Sequence, residues 1–385
     1  MTALPEGFVA RAANFGIKDE TLDFVTVLGV PGTVGTSVYT KSRFAGASVI
    51  LSRELSARGT TRGVIVLSKN SNVATGDEGM RNAREIVEKT AELQQCRAED
   101  LVIASTGVIG RQYPMGKIRD GIASLRSVEE THDASLVARA IMTTDTRAKL
   151  AEATVAGSRA RVVGVAKGVG MIEPDMATHI SLVFTDAAMS RAELDMAFRW
   201  CVERTFNRVS IDTDTSTSDT SVCLASGTAG HIDPAAFREA LYAVLLSLTK
   251  QIARDGEGAE RIIEVRVDQA RDEEQAVTVA RAIGNSPLVK TAVHGADPNW
   301  GRVAMAVGKC SQYLDIDQQR VIIRFGAQEV YPRQLDVAGL AALSSYMKSE
   351  EVVIHVSLAT GTSSATVWGC DLSDGYVRVN ADYTT

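Results

Sequence analysis

Lys167-Gly-Val-Gly-Met-Ile-Glu-Pro-Asp-Met-Ala-Thr178-His-Ile180 is the stretch from which the rest of the chain is read. Residues 161–166 before it are apolar and β-branched enough for a strand, and residues 180–184 start another. The Gly and Pro between them therefore force a tight, irregular connection. A hydroxyl held between two strand ends is a place for chemistry. At Ala177-Thr178 a small residue precedes a hydroxyl residue, the local pattern of a self-cleaving peptide. Attack of the Thr178 side chain on the Ala177 carbonyl gives an ester by an N→O shift, and hydrolysis of that ester leaves Thr178 as a new N-terminus. A free α-amine, with an ordinary pKa of about 7.7 to 8.0, takes up the hydroxyl proton near neutral pH, so nucleophile and base sit in one residue. The local alternative is a Thr that caps a strand in a Gly-rich turn.

With 385 residues and 45% hydrophobic content the chain buries a large core, as two domains or one two-lobed fold. A net charge of -6 without long Lys or Arg runs argues against nucleic acid and membrane as partners, leaving small molecules. The five cysteines, Cys96, Cys201, Cys223, Cys310 and Cys370, are widely spaced and form no Cys-x-x-Cys pair, which fits buried thiols in a reducing compartment. No basic-then-apolar leader opens the sequence, and no apolar run approaches the ~20 residues of a membrane span, so a cytoplasmic protein is expected.

Residues 8–67 read as short strands at 24–28, 37–40, 48–51 and 63–67, separated by turns. The polar cluster 70–76 is a loop, followed by a helix with Met80, Ala83, Val87, Thr90 and Leu93 on one face. The apolar run 101–105 is a buried strand that ends in the turn Thr106-Gly-Val-Ile-Gly110. Its backbone N–H groups either line a cleft, as an oxyanion hole requires, or simply close a turn. A helix over 135–142 delivers Thr143-Thr-Asp-Thr146, hydroxyls that bind a substrate or cap the helix end.

Beyond Thr178, Ser190-Arg-Ala-Glu193 is a capping box opening a helix, and Asp233-Pro234 opens a long helix to about residue 253. The Asp- and Thr-rich segment 210–220 is a solvated edge or loop, and it lacks the Gly and distal Glu of a calcium site. Glu257, between two glycines, is a turn residue or a charge shown to a ligand. Strands follow at 262–267, 288–293, 321–325 and 351–358. Helices are predicted over 272–283, 303–307 and 340–347, a hairpin over 365–370 and a polar tail over 380–385. Helices packed on sheets are the expected architecture, without the regular βαβ repeat of a nucleotide-binding fold.

Seven phrases occur together and in order: Ser105-Thr-Gly-Val-Ile-Gly, Ile141-Met-Thr-Thr-Asp-Thr, the 167–178 stretch, Asp212-Thr-Asp-Thr-Ser-Thr-Ser-Asp-Thr, Asp255-Gly-Glu-Gly-Ala, Asp297-Pro-Asn-Trp-Gly-Arg and Asn380-Ala-Asp-Tyr-Thr-Thr. Together they resemble the ornithine acetyltransferase family, also called glutamate N-acetyltransferases or the arginine biosynthesis bifunctional family. Two further phrases, residues 107–115 and 286–294, are most similar to the branch found beside clavulanic acid biosynthesis genes.

The resemblance implies an α/β (α+β) fold, an αββα-type sandwich with two lobes, self-processed at a Thr nucleophile. Cleavage between Ala177 and Thr178 would give an α chain 1–177 and a β chain 178–385 that assemble as α2β2. The implied activity carries an acetyl group from N-acetylornithine to glutamate through an ester on Thr178, with no metal or organic cofactor. Thr106 and Gly107 would form the oxyanion hole. Thr143, Lys167, Thr178, Glu257, Asn380 and Thr385 would contact substrate, Lys167 pairing with a carboxylate and Glu257 with an amine. The chain departs from the family pattern at Ala74, Asp175 and His179-Ile180. The competing expectations are a self-processing aminopeptidase or amidohydrolase that uses water as acceptor, and an unprocessed small-molecule binding protein.

Overall fold

The apolar runs of the first part of the chain become strands wherever a neighbouring strand takes up their backbone N–H and C=O groups. In order they are β1 (Phe8–Ala13), β2 (Phe24–Gly29), β3 (Val34–Tyr39), α1 (Ala47–Ser56), β4 (Gly63–Asn70), α2 (Gly76–Gln94), β5 (Leu101–Val108), α3 (Met115–Ser124), α4 (Ala134–Ile141), β6 (Lys149–Thr154) and β7 (Arg161–Lys167). After the 167–180 connection come β8 (Ile180–Ala188), α5 (Arg191–Arg204), β9 (Val209–Ser210), β10 (Thr220–His231), α6 (Pro234–Arg254), β11 (Ile262–Ala270) and α7 (Glu273–Gly284). The chain closes with α8 (Pro287–His294), α9 (Trp300–Gly308), β12 (Ile322–Phe325), β13 (Gln328–Tyr331), α10 (Val337–Tyr346), β14 (Glu351–Ser357), β15 (Ser363–Cys370) and α11 (Asp374–Asp382). The structure is a computed structural model in which residues 2–18, 20–173 and 179–382 are described.

Two compact units result, the first from Met1–Gly168, Pro174–Asn207 and Thr215–Leu248, the second from Val169–Glu173, Arg208–Asp214 and Thr249–Thr385. The first unit holds two sheets, ordered β1-β2-β4-β5 and β3-β10-β8-β7-β6. Strand period sorts their side chains. Val64 and Val66 face inward with Val25, Val27, Val102 and Ala104, and meet Val163, Val165, Leu182, Phe184, Val222 and Leu224 of the second sheet. Helix α4 contributes Val137, Ala138 and Ile141 to this same core. The alternate residues Phe24, Ile65, Leu67, Leu101 and Ile103 point the other way, onto Leu51 of α1, Ile86 of α2 and Ile118 of α3.

The outer face of the second sheet is covered by α5 and, at Val244 and Leu248, by α6. A Cβ on Gly164 of β7 would stand 2.8 Å from Val244 and 2.9 Å from Leu248. Layers run helix, sheet, sheet, helix, which is the αββα sandwich expected. Strand β7 pairs antiparallel with β8 from Val162↔Thr185 to Lys167↔Ile180. One sheet therefore joins β3, β6 and β7, before position 178, to β8 and β10, after it.

The second unit is a six-stranded sheet, β13-β12-β14-β11-β15-β9. Ile263, Val265, Val267, Ile354, Val356 and Val367 pack against Ala276, Val279, Ala280 and Ile283 of α7. Between them on β11, Glu264 is buried, and burial alone would raise its pKa. Hydrogen bonds from Lys250, Trp368 and Arg266 hold it instead down at about 2.

Four expectations are corrected. Residues 48–51 lie in a helix, because burial of Ser48, Leu51, Ser52 and Leu55 with Ile50 exposed has helical period over the full α1. Residues 288–293 are helical too: Pro287 opens α8, and the Ser286 side chain accepts from the N–H of Val289 at 3.4 Å. Residues 365–370 form no hairpin, since β15 runs as one strand between β11 and β9. Asn380 belongs to α11 rather than to an irregular tail, in a helix supported by an Asp374–Arg378 pair one turn apart at 2.8 Å.

Candidate active site

The first unit brings Thr143 and Lys167 together. Helix α4 ends at Ile141 and leaves Thr143 in the following loop, while Lys167 is the last residue of β7, opposite Ile180. Lys167 Nζ donates to Thr143 Oγ1 at 3.2 Å. Beneath them lies a buried charge. Asp145 Oδ2 accepts the Thr143 N–H at 3.0 Å, and Oδ1 accepts both the Gly168 N–H and Lys149 Nζ at 2.7 Å. Neither the Asp145 nor the Lys149 side chain has any solvent exposure. Burial pushes the Asp145 carboxyl up, but the ammonium groups of Lys167 and Lys149 outweigh it and hold the group below its usual range.

Thr106 and Gly107 are in a strand, not in the turn expected from the two glycines. Strand β5 continues to Val108 because β4 stays beside it through an irregular register in which Asn70 faces both Thr106 and Val108. Gly107 has φ +132°, and a Cβ there would lie 2.1 Å from the Lys69 carbonyl carbon. No other residue fits. The polar cluster after β4 pins this bulge: Ser71 Oγ donates to Val108 O at 2.7 Å, and Asn70 Nδ2 donates to Gln112 O at 3.0 Å.

Two unusual titratable groups stand at the entry to β8 and β10. His179 is buried edge-on against Phe206 with ring centroids 4.1 Å apart, and neither ring nitrogen has a hydrogen-bond partner among the described residues. Burial, then the charges of Lys167 and Lys149, lower its pKa to about 3, so the imidazole is neutral at any physiological pH. Asp219 is also buried, with Oδ2 unpartnered among the described residues, and burial raises its carboxyl well above the usual range despite hydrogen bonds to Ser216 and Thr40 and the nearby Lys167.

The second unit brings Glu257 and Asn380 together. Asn380 Nδ2 donates to Glu257 Oε2 at 3.0 Å from the last turns of α11. The Glu257 N–H donates to Val169 O at 2.8 Å, and its carboxylate lies where a Cβ on Gly170 would be, 2.5 Å away. Val169 and Gly170 are thus a seat for Glu257. The Asp-rich loop serves the same segment, since Asp212 accepts the N–H groups of Met171 and Ile172 at 2.6 and 2.8 Å. Burial first, and then the negative charges of Asp212, Glu257 and Asp214, push Tyr376 up to about 12.

Ala177, Thr178 and Thr385 lie outside the described residues. Glu260, His294 and Asp371 place three ligand-type atoms within 4.8 Å of one another. Asp371 is already used there by the N–H groups of Glu260 and Arg261 at 2.9 Å and by the Arg261 guanidinium at 3.8 Å.

A profile of the ArgJ family matches residues 9–385. The chain belongs to the ArgJ family. It is 54% identical to the glutamate N-acetyltransferase Oat2 of Streptomyces clavuligerus, over 99% of this chain and 98% of that protein. It is 51% identical to the arginine biosynthesis bifunctional protein ArgJ 2 of a Nostoc species, over 100% and 99% of the two chains. Among solved structures, the arginine biosynthesis bifunctional protein ArgJ of Bacillus halodurans is 39% identical with a TM-score of 0.50, covering 52% of this chain and 98% of its own.

Within this ArgJ-family chain, sequence reasoning took 143–146 as a hydroxyl cluster and passed over Asp145 in its middle. The one available signal was the i,i+4 spacing of Asp145 and Lys149, which in the fold is a contact across a loop and a strand start. Asp219 carried no signal, being one of several Asp in a polar run.

Proposed function

We propose that the chain cuts itself between Ala177 and Thr178 and then moves an acetyl group from N-acetylornithine to glutamate through an ester on Thr178. What carries this reading is the Lys167–Thr143 contact at the strand end that leads into the cleavage stretch, in a chain matched end to end by a glutamate N-acetyltransferase.

In the cleavage step Thr178 Oγ bonds to the Ala177 carbonyl carbon, the Ala177–Thr178 C–N bond breaks, and the proton that Oγ gives up passes to the leaving nitrogen. Water then hydrolyses the ester. In the first half-reaction the free Thr178 amine takes the Oγ proton as Oγ attacks the acetyl carbonyl of N-acetylornithine. Thr106 and Gly107 hold the developing oxyanion. The acetyl C–N bond breaks, the proton goes to the leaving amine, and ornithine departs. Glutamate's amine then attacks the ester carbon, the bond from that carbon to Oγ breaks, and the proton the amine gives up returns to Oγ. Lys167, with Thr143, takes the substrate carboxylate and Glu257 the distal amine of ornithine, and Asn380 and Thr385 are the remaining substrate contacts that the resemblance implies. The fragments 1–177 and 178–385 stay together as an α2β2 assembly in the cytoplasm.

Intact-mass measurement of the purified protein tests this. Two polypeptides are expected, with one acetyl mass added to 178–385 after N-acetylornithine alone and removed by glutamate. Thr178→Ala is expected to stay one chain and transfer nothing. Transfer by that variant sinks the reading, and rapid acetate release without glutamate assigns the chain to hydrolysis instead.

A further inference from the structure

Thr143 and Lys167 come from different elements, 24 residues apart, and their contact needs both backbones fixed. A lysine has a flexible four-carbon stem, so the position of its ammonium group depends on where its main chain is held. Asp145 holds both ends. One carboxylate oxygen takes the Thr143 N–H, the other the Gly168 N–H directly after Lys167. Lys149 supplies the balancing charge from the start of β6, where it pairs with Ala166, the neighbour of Lys167 on β7. Lys18 adds a second tether, donating to Met142 O at 2.5 Å from the residue before Thr143.

We propose that Asp145 is a positioning residue for the acetyl transfer: it sets the distance between Thr143 and Lys167, and with it the place of the substrate carboxylate. This rests on the function proposed above. A buried carboxylate without Lys149 would carry an uncompensated charge or neutralise itself by taking a proton, and either change loosens one of the two backbone anchors. An amide at position 145 keeps the shape but has one acceptor oxygen, so only one of the two N–H groups retains its partner. The other segment is then free to shift, and a misplacement of about 1 Å costs on the order of 100-fold in rate.

The test is Asp145→Asn, measured on the whole processed enzyme with N-acetylornithine and glutamate. Rates are normalised to the number of chains that N-acetylornithine acetylates, which counts folded, cleaved sites. A value of kcat/KM lower by about 10- to 100-fold is expected, with a raised KM for N-acetylornithine carrying much of the loss. Asp145→Asn/Lys149→Met is the second variant, because removing both charges of a buried pair is tolerated where removing one is not. The same rise in KM is expected of it. A purely structural role lowers the melting temperature and the number of acetylatable chains but leaves KM per chain as in the parent. An unchanged KM in either folded variant overturns the proposal while the acetyltransferase reading stands. Absence of transfer in the parent protein overturns both.

Discussion

His179 and Asp219 are buried side by side at the start of two parallel strands, and the fold bends their chemistry in opposite directions. Unfolded His179 takes up a proton near its ordinary 6.5, whereas the folded protein resists until about 3. Between those values the unfolded state binds more protons, so this group costs stability as pH falls, by up to about 1.4 kcal/mol per pH unit. His179→Leu is expected to flatten the acid side of the stability profile by about that slope, measured by urea unfolding from pH 6.5 to 4. Asp219 works the other way. Its folded pKa is raised, so the folded state keeps a proton that the unfolded state has lost above the usual carboxylate range, and stability from this group is lost as pH rises. Asp219→Asn is expected to gain stability relative to the parent on going from pH 5 to pH 8. An equal pH response in parent and variant would show that Asp219 is ionised in the fold.

Among the elements, the helices fix their own ends by local chemistry, and the strands near the site do not. The capping box of α5 is complete: Ser190 Oγ accepts the Glu193 N–H at 3.3 Å and Glu193 Oε2 accepts the Ser190 N–H at 2.9 Å. Ser190→Ala is expected to lower unfolding stability by about 1 kcal/mol with acetyl transfer unchanged, read from a chemical denaturation midpoint. That box and the helix after Asp233 were legible in the sequence because each depends on residues three or four positions apart. The strand reading of 48–51 and 288–293 failed because a short apolar run is compatible with either period. Leu55 on one side and Ser286-Pro287 on the other settle it. Gly107 was found as a glycine that mattered, but its reason was not. The approach of Lys69 on a neighbouring strand forbids a Cβ, and a turn has no part in it.

For the molecule as a whole, β7 and β8, the strands on either side of the 167–180 connection in the sequence, are neighbours in one sheet. β7 keeps a six-pair ladder with β8, and β3 with β10, so strands from before and after position 178 complete one core. After cleavage the two polypeptides are therefore expected to co-elute in native gel filtration and to separate only in denaturant. Elution of 1–177 alone from native buffer would contradict the shared sheet. The sequence by itself determined the helix caps, the family and the αββα class, since these reside in local spacing and in ordered phrases. Only the tertiary structure decided that Asp145 joins Thr143 to Lys167, that Glu257 is seated on Gly170, and that His179 and Asp219 lose their ordinary ionisation. Burial and through-space charge depend on groups far apart along the chain, and no local pattern encodes that distance.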